Sequence, residues 1–246
     1  VGDVNAADEA VVEVLERQKA SHKPLAVIVA GHNGSGKSTW WNRRLAPSVR
    51  IPLVNADRMM LSILPEIPEH DVLPEWARKL RDEDASWMRV AQRGVQSFVD
   101  HAMEEKAPFA METVFSHFDV QNGRVVASKI DLIRRMQNHG YFVLLLFVGL
   151  QSASLSIARV ISRVALGGHD VPRDRLVERF PRTQRAIRLA KDVADACVLV
   201  DNSRDEAQAF TLCHVRIAGR VEYDVRRRGA TPDEIAAWLP LVAGQA

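Results

Sequence analysis

The residues whose types and spacing could do chemistry begin at Gly31. The run Gly31-His32-Asn33-Gly34-Ser35-Gly36-Lys37-Ser38 has the spacing G-x-x-x-x-G-K-[ST]. Glycines let a chain turn so that successive N–H groups point at one centre, which suits a polyphosphate. A helix opening near Lys37 would add its positive end. Lys37 would bring a cation to the β- and γ-phosphates, and the Ser38 hydroxyl a ligand for magnesium. Gly31, His32, Asn33, Gly34, Ser35, Gly36, Lys37, Ser38 and Thr39 are therefore the predicted cradle for ATP with Mg²⁺.

Further candidates stand where apolar runs end, because ligands of an open parallel sheet bind beyond the carboxyl ends of its strands. Asn55-Ala56-Asp57 follows Ile51–Val54. A carboxylate at Asp57 could take the proton of an attacking hydroxyl, or it could cap the helix expected near Arg58. Glu112 and Thr113 follow Phe109–Met111. Glu112 could hold Mg²⁺ through water or position substrate, the alternative being a helix cap or surface residue. No acid follows Tyr141–Val148, which argues against an ATPase motor, and Asp201-Asn202-Ser203 follows Cys197–Val200. The stretch Ser156–Arg188 carries Arg159, Arg163, Arg173, Arg175, Arg179, Arg182, Arg185 and Arg188. Most of them are expected to be solvated on helix faces, and one or two of the eight, which the pattern alone does not single out, would swing over the phosphates as a lid.

The elements that must position these residues alternate between apolar runs and helical patterns. This predicts an α/β P-loop kinase fold: a three-layer sandwich with a mostly parallel five-stranded sheet, helices on both faces and a helical insertion. Strands are expected at 25–30, 51–54, 109–111, 141–148 and 197–200, with a hairpin around Gly219. Helices are expected at 37–45, 75–105, 122–138 and 152–165, after Pro172 and from Thr231. Residues 1–24 read as an N-terminal helical extension and 25–210 as the kinase domain. Within that domain 67–105 reads as an insertion and 152–190 as the lid, and 211–246 reads as a C-terminal extension.

A net charge of +2 over 246 residues argues against nucleic acid or a membrane as the main partner. No run approaches the ~20 apolar residues of a membrane helix. Val1–Ala10 lacks the basic flank and apolar stretch of a signal peptide. Cys197 and Cys213 sit in apolar runs with no metal-ligand spacing and read as core thiols. The expectation is a soluble cytoplasmic protein.

In order along the chain, the phosphate loop, Asn55-Ala56-Asp57, Met111-Glu112-Thr113, the segment Ser162–Pro172 containing Gly-Gly-His-Asp-Val-Pro, Arg179-Phe180 and Asp201-Asn202-Ser203 resemble the zeta-toxin family of P-loop kinases. The match runs from Leu25 to Ser203. The resemblance implies transfer of the ATP γ-phosphate to a hydroxyl of a small molecule, UDP-N-acetylglucosamine in characterised members, and an antitoxin protein as a partner. It implies Asp57 as catalytic base, Glu112 and Thr113 as the strand-end pair at the substrate, Arg159 or Arg163 as a phosphate-contacting arginine, and Asn202 and Ser203 at the adenine. A second family arginine aligns near His169, where this chain has none, leaving the role to Arg179 or Arg182. His169 could bind phosphate or substrate, or cap the helix after Pro172. Competing readings are a kinase of another metabolite or of a nucleic-acid end, and a nucleotide-gated regulatory ATPase.

Overall fold

The structure is a computed structural model, and it describes residues 6–66, 72–121, 124–166, 168 and 170–245. Helix α1 (Ala6–Ala20) leads into β1 (Leu25–Gly31), the phosphate loop and α2 (Lys37–Trp40). Helix α2 runs through a π turn (Trp41–Leu45) into α3 (Ala46–Val49). Then come β2 (Leu53–Val54), α4 (Ala56–Ser62), α5 (Glu75–Asp82), α6 (Ala85–Glu104) and β3 (Phe109–Thr113). A hairpin of β4 (Phe118–Gln121) and β5 (Arg124–Ser128) precedes α7 (Ile130–Asn138) and β6 (Phe142–Gly149). The chain continues through α8 (Ala153–Ala165), α9 (Arg173–Val193), β7 (Ala196–Asp201), β8 (Thr211–Ile217) and β9 (Arg220–Asp224), and closes with α10 (Asp233–Ala236) and α11 (Leu239–Ala243).

The main sheet has seven strands, not five, in the order β2-β3-β1-β6-β7-β8-β9. The first five are parallel to one another, and β8 and β9 are added antiparallel. The extra pair comes from the stretch read as a C-terminal extension. Strand β8 carries His214 and Arg216, which disguise a core strand. His214 meets the Asp224 carboxylate at 3.2 Å, and Arg216 donates to the carbonyls of Lys191 and Ala194. A second correction concerns 122–138, where the helix begins only at Ile130 and Arg124–Ser128 is a strand. The β-branched pair Val125-Val126 suits an extended chain.

Strands β1 and β6 are buried along their whole length, as expected where helices cover both faces of a parallel sheet. One face packs on α1 and the helix after the phosphate loop, through Val11, Val14, Trp40, Trp41 and Leu45. The other packs on α6, α7, α9 and the C-terminal helices, through Val99, Met103, Ile133, Met136, Ile187 and Trp238. Both cysteines are buried and free, and burial pushes the Cys197 thiol up to about 12. Among the described residues no helix is long and apolar enough to cross a membrane.

Candidate active site

The phosphate loop joins the end of β1 to α2, at the centre of the sheet. Gly34 and Gly36 have φ of 69° and 90°, conformations that side chains resist. Space excludes a side chain as well. A Cβ at Gly34 would lie 3.0 Å from Arg159 Cβ, and one at Gly36 2.6 Å from Asn202 Nδ2. Loop, α8 and the β7 end are thus packed into one body. Ser156 Oγ donates to the Asn33 carbonyl at 2.7 Å, and Asn202 Nδ2 to the Ser35 carbonyl at 2.9 Å. The His32 ring is not open to a ligand: it stacks on Phe180 at 3.8 Å and meets the edge of Phe147. Burial and the nearby Lys37 hold its pKa down at about 3, so the imidazole is neutral. Its carbonyl receives the Lys37 ammonium at 2.8 Å.

Ser38 and Glu112, 74 residues apart in sequence, meet at the ends of α2 and β3. The hydroxyl lies 2.8 and 2.9 Å from the two carboxylate oxygens. The capping role open to Asp57 belongs to Asn55, whose Oδ1 accepts from the Asp57 N–H at 2.8 Å and the Arg58 N–H at 3.4 Å. The Asp57 carboxylate acts instead on Lys37 and Arg179. Burial lowers the Lys37 pKa, Glu112 and Asp57 raise it, and Arg163 lowers it. Those four side chains, drawn from α2, β3, α4 and α8, therefore share one electrostatic neighbourhood. Arg179, on α9, joins it through Asp57. Thr113 accepts a hydrogen bond from the Lys129 ammonium. Arg163 lies along Gly168, where a Cβ would come within 2.6 Å of its Cγ. His169 lies outside the described residues.

On the β7 side of the loop a cleft of about 320 Å³ opens between Gly36, Thr39, Arg43, Arg44, Arg159, Asn202, Arg204 and Phe210. Arg44 lies over the Phe210 ring at 5.3 Å, and the Trp40 ring stacks on the same phenyl ring with centroids 5.8 Å apart. Asn202 lines this cleft, whereas Ser203 braces it from behind. The Ser203 hydroxyl donates to Asp201 at 2.7 Å and accepts from the Gln151 N–H at 2.8 Å. Asp201 is fully buried and also accepts from Trp238 Nε1 at 2.9 Å. Lys129, Arg204, Phe210 and Trp238 stand in or behind this candidate site and were passed over by sequence reasoning.

The arrangement fits a magnesium nucleotide. The loop holds a buried Ser35 hydroxyl without a partner among the described residues. Ser38 and Glu112 present a hydroxyl and a carboxylate together. Among the described residues no group of three or more His, Cys, Asp or Glu gathers into a metal cage. Ser38 and Glu112 would give a magnesium ion two protein oxygens, with phosphate and water supplying the rest.

Comparison with known proteins bears on the family and the fold. The family described as Zeta toxin matches residues 9–212. An uncharacterised protein of Haemophilus influenzae is 25% identical over 155 residues, covering 63% of this chain and 91% of its own length. A solved structure from the PezAT chromosomal toxin–antitoxin system of Streptococcus pneumoniae superposes with a TM-score of 0.54 at 15% identity, covering 100% of this chain and 91% of that one. The complex AvrRxo1-ORF1:-ORF2 with ATP superposes with a TM-score of 0.57 at 13% identity, covering 90% of this chain and 67% of that one. At such identities the two structures speak to the fold.

Proposed function

We propose, for a chain that belongs to the zeta-toxin family of phosphotransferases, that it transfers the γ-phosphate of ATP to a hydroxyl of a small molecule, a nucleotide sugar such as UDP-N-acetylglucosamine. The observation that carries this reading is the convergence on Lys37 of Glu112, Asp57 and Arg163 from three other elements. A phosphate cradle beside a carboxylate with no cap to form is the equipment of a kinase.

In this reading the loop amides and Lys37 hold the phosphates, the ammonium moving from the His32 carbonyl to a phosphate oxygen. Asn202 and the cleft beside it take the adenosine. Ser38 and Glu112 would hold Mg²⁺, which when bound neutralises phosphate charge. Asp57 accepts the acceptor's hydroxyl proton as that oxygen bonds to the γ-phosphorus and the bond to the β,γ-bridging oxygen breaks. Arg159, Arg163 and Arg179 face the charge that the transferring group spreads over its oxygens. Thr113 belongs to the acceptor side. Family membership also makes a protein antitoxin the partner class to test.

The test is release of ADP with and without candidate acceptors. Turnover should be slow with ATP alone and rise steeply with one of a panel of nucleotide sugars. Turnover equally fast with none of them would favour a regulatory ATPase.

A further inference from the structure

Lys129 stands immediately before α7 and was hidden by the helix expected over 122–138. Its ammonium donates to the Thr113 hydroxyl at the end of β3, next to the glutamate that meets Ser38. The charges acting on it are Arg179 and Lys37, so it belongs to the same cluster as the phosphate-loop lysine. Burial and these two cations bring its pKa down to about 8. Among the described residues no carboxylate pairs with it. A half-buried ammonium held by a single hydroxyl keeps room for a stronger partner, and an anion is what would complete it.

Sheet order says which anion. The adenosine-sized cleft lies on the β7 side of the phosphate loop. Lys129 and Thr113 lie on the other side, at β3, beside the β2 end that carries Asp57. That is the side from which a hydroxyl would reach Asp57. Resting on the kinase reading above, we propose that Lys129 is a further substrate-binding residue whose ammonium, oriented by Thr113, grips an anionic group of the acceptor. The chain would then select phosphate-bearing acceptors over neutral sugars by a charge that its loop motif does not contain.

The experiment is a calorimetric titration of UDP into the full chain already saturated with magnesium and a non-hydrolysable ATP analogue. Wild type is compared with Lys129→Met and Lys129→Arg. The methionine variant should bind UDP at least tenfold more weakly, and the arginine variant should stay within threefold of wild type. Affinity for the ATP analogue, measured separately, should be the same in all three. Unchanged UDP affinity in Lys129→Met would overturn the proposal, as would an equal loss of ATP-analogue affinity, which would place the lysine in the nucleotide site or the fold. Should Lys129→Met fail to fold, Thr113→Val carries the test, because it leaves the charge but removes the group that aims it. A wild type that ignores UDP also overturns the proposal, while the kinase reading is judged independently by ADP release.

Discussion

Replacing Trp238 by phenylalanine tests whether the C-terminal helices take part in nucleotide binding. Trp238 lies beyond residues 9–212, the span matched by the family. Its indole N–H donates to Asp201 at 2.9 Å, and its ring fills the space beside Gly149, where a Cβ would come within 2.4 Å. Asp201 in turn holds Ser203 through its N–H at 3.0 Å and its hydroxyl at 2.7 Å, fixing the turn from which Asn202 grips the Ser35 carbonyl of the phosphate loop. A hydrogen bond to a charged acceptor is worth about 1.5–3 kcal/mol, and no water replaces it at a carboxylate with 0% exposure. The smaller ring adds roughly 1 kcal/mol of lost packing. Trp238→Phe should therefore cost about 3 kcal/mol of stability, a fall in Tm of roughly 6–12 °C for a chain of this size. Asn202 should also lose its fixed seat, raising the Kd for a non-hydrolysable ATP analogue about tenfold, or ~1.4 kcal/mol. Denaturant melts give the first figure. Calorimetry well below the variant's Tm gives the second. A destabilised variant that binds the analogue as tightly as wild type would reduce Trp238 to core filling and refute the strut.

Asp57→Asn should lower phosphate transfer by roughly 10²–10⁴-fold, as loss of a general base does, with the ATP-analogue Kd within threefold; a variant keeping most of the transfer rate would remove Asp57 from the mechanism. Asp224 makes acid stability pH-dependent. Burial would raise its pKa, but hydrogen bonds from Arg226 and His214 overcome this and bring it to about 2 from an ordinary 3.8. Its contribution, roughly 2 kcal/mol, is complete above pH ~4 and is lost as pH falls toward 2. Asp224→Asn should be less stable at neutral pH and should show a flatter decline in denaturant melts between those limits; an identical slope would show that Asp224 does not drive it.

Much of the candidate site was legible because its grammar is local. The phosphate loop is eight consecutive residues, and Glu112 and Asp57 reveal themselves as acids ending apolar runs. The two residues' partners were harder. Nothing near Asp57 says that Asn55 takes the cap, since both are good capping residues. Strands β8 and β9 were read as a hairpin but not as part of the sheet, because His214 and Arg216 look solvated until Asp224 and the α9 carbonyls are seen to satisfy them. Lys129 vanished into an expected helix whose true start is Ile130. His32 sits inside the motif, yet only the tertiary contact with Phe180, 148 positions on, turns its ring into packing. Trp238 lies 37 residues from Asp201 and carries no sequence signal linking the two.

The central claim is that a carboxylate on the β2 side and a phosphate cradle at β1 act on one transferring group. It is tested most directly by incubating the chain with γ-labelled ATP, magnesium and UDP-N-acetylglucosamine together with related nucleotide sugars, and locating the label. The account predicts label in a phosphate ester on an acceptor hydroxyl, absent with Lys37→Ala and nearly absent with Asp57→Asn. Label found only as inorganic phosphate, at the same rate with and without every acceptor, would contradict it.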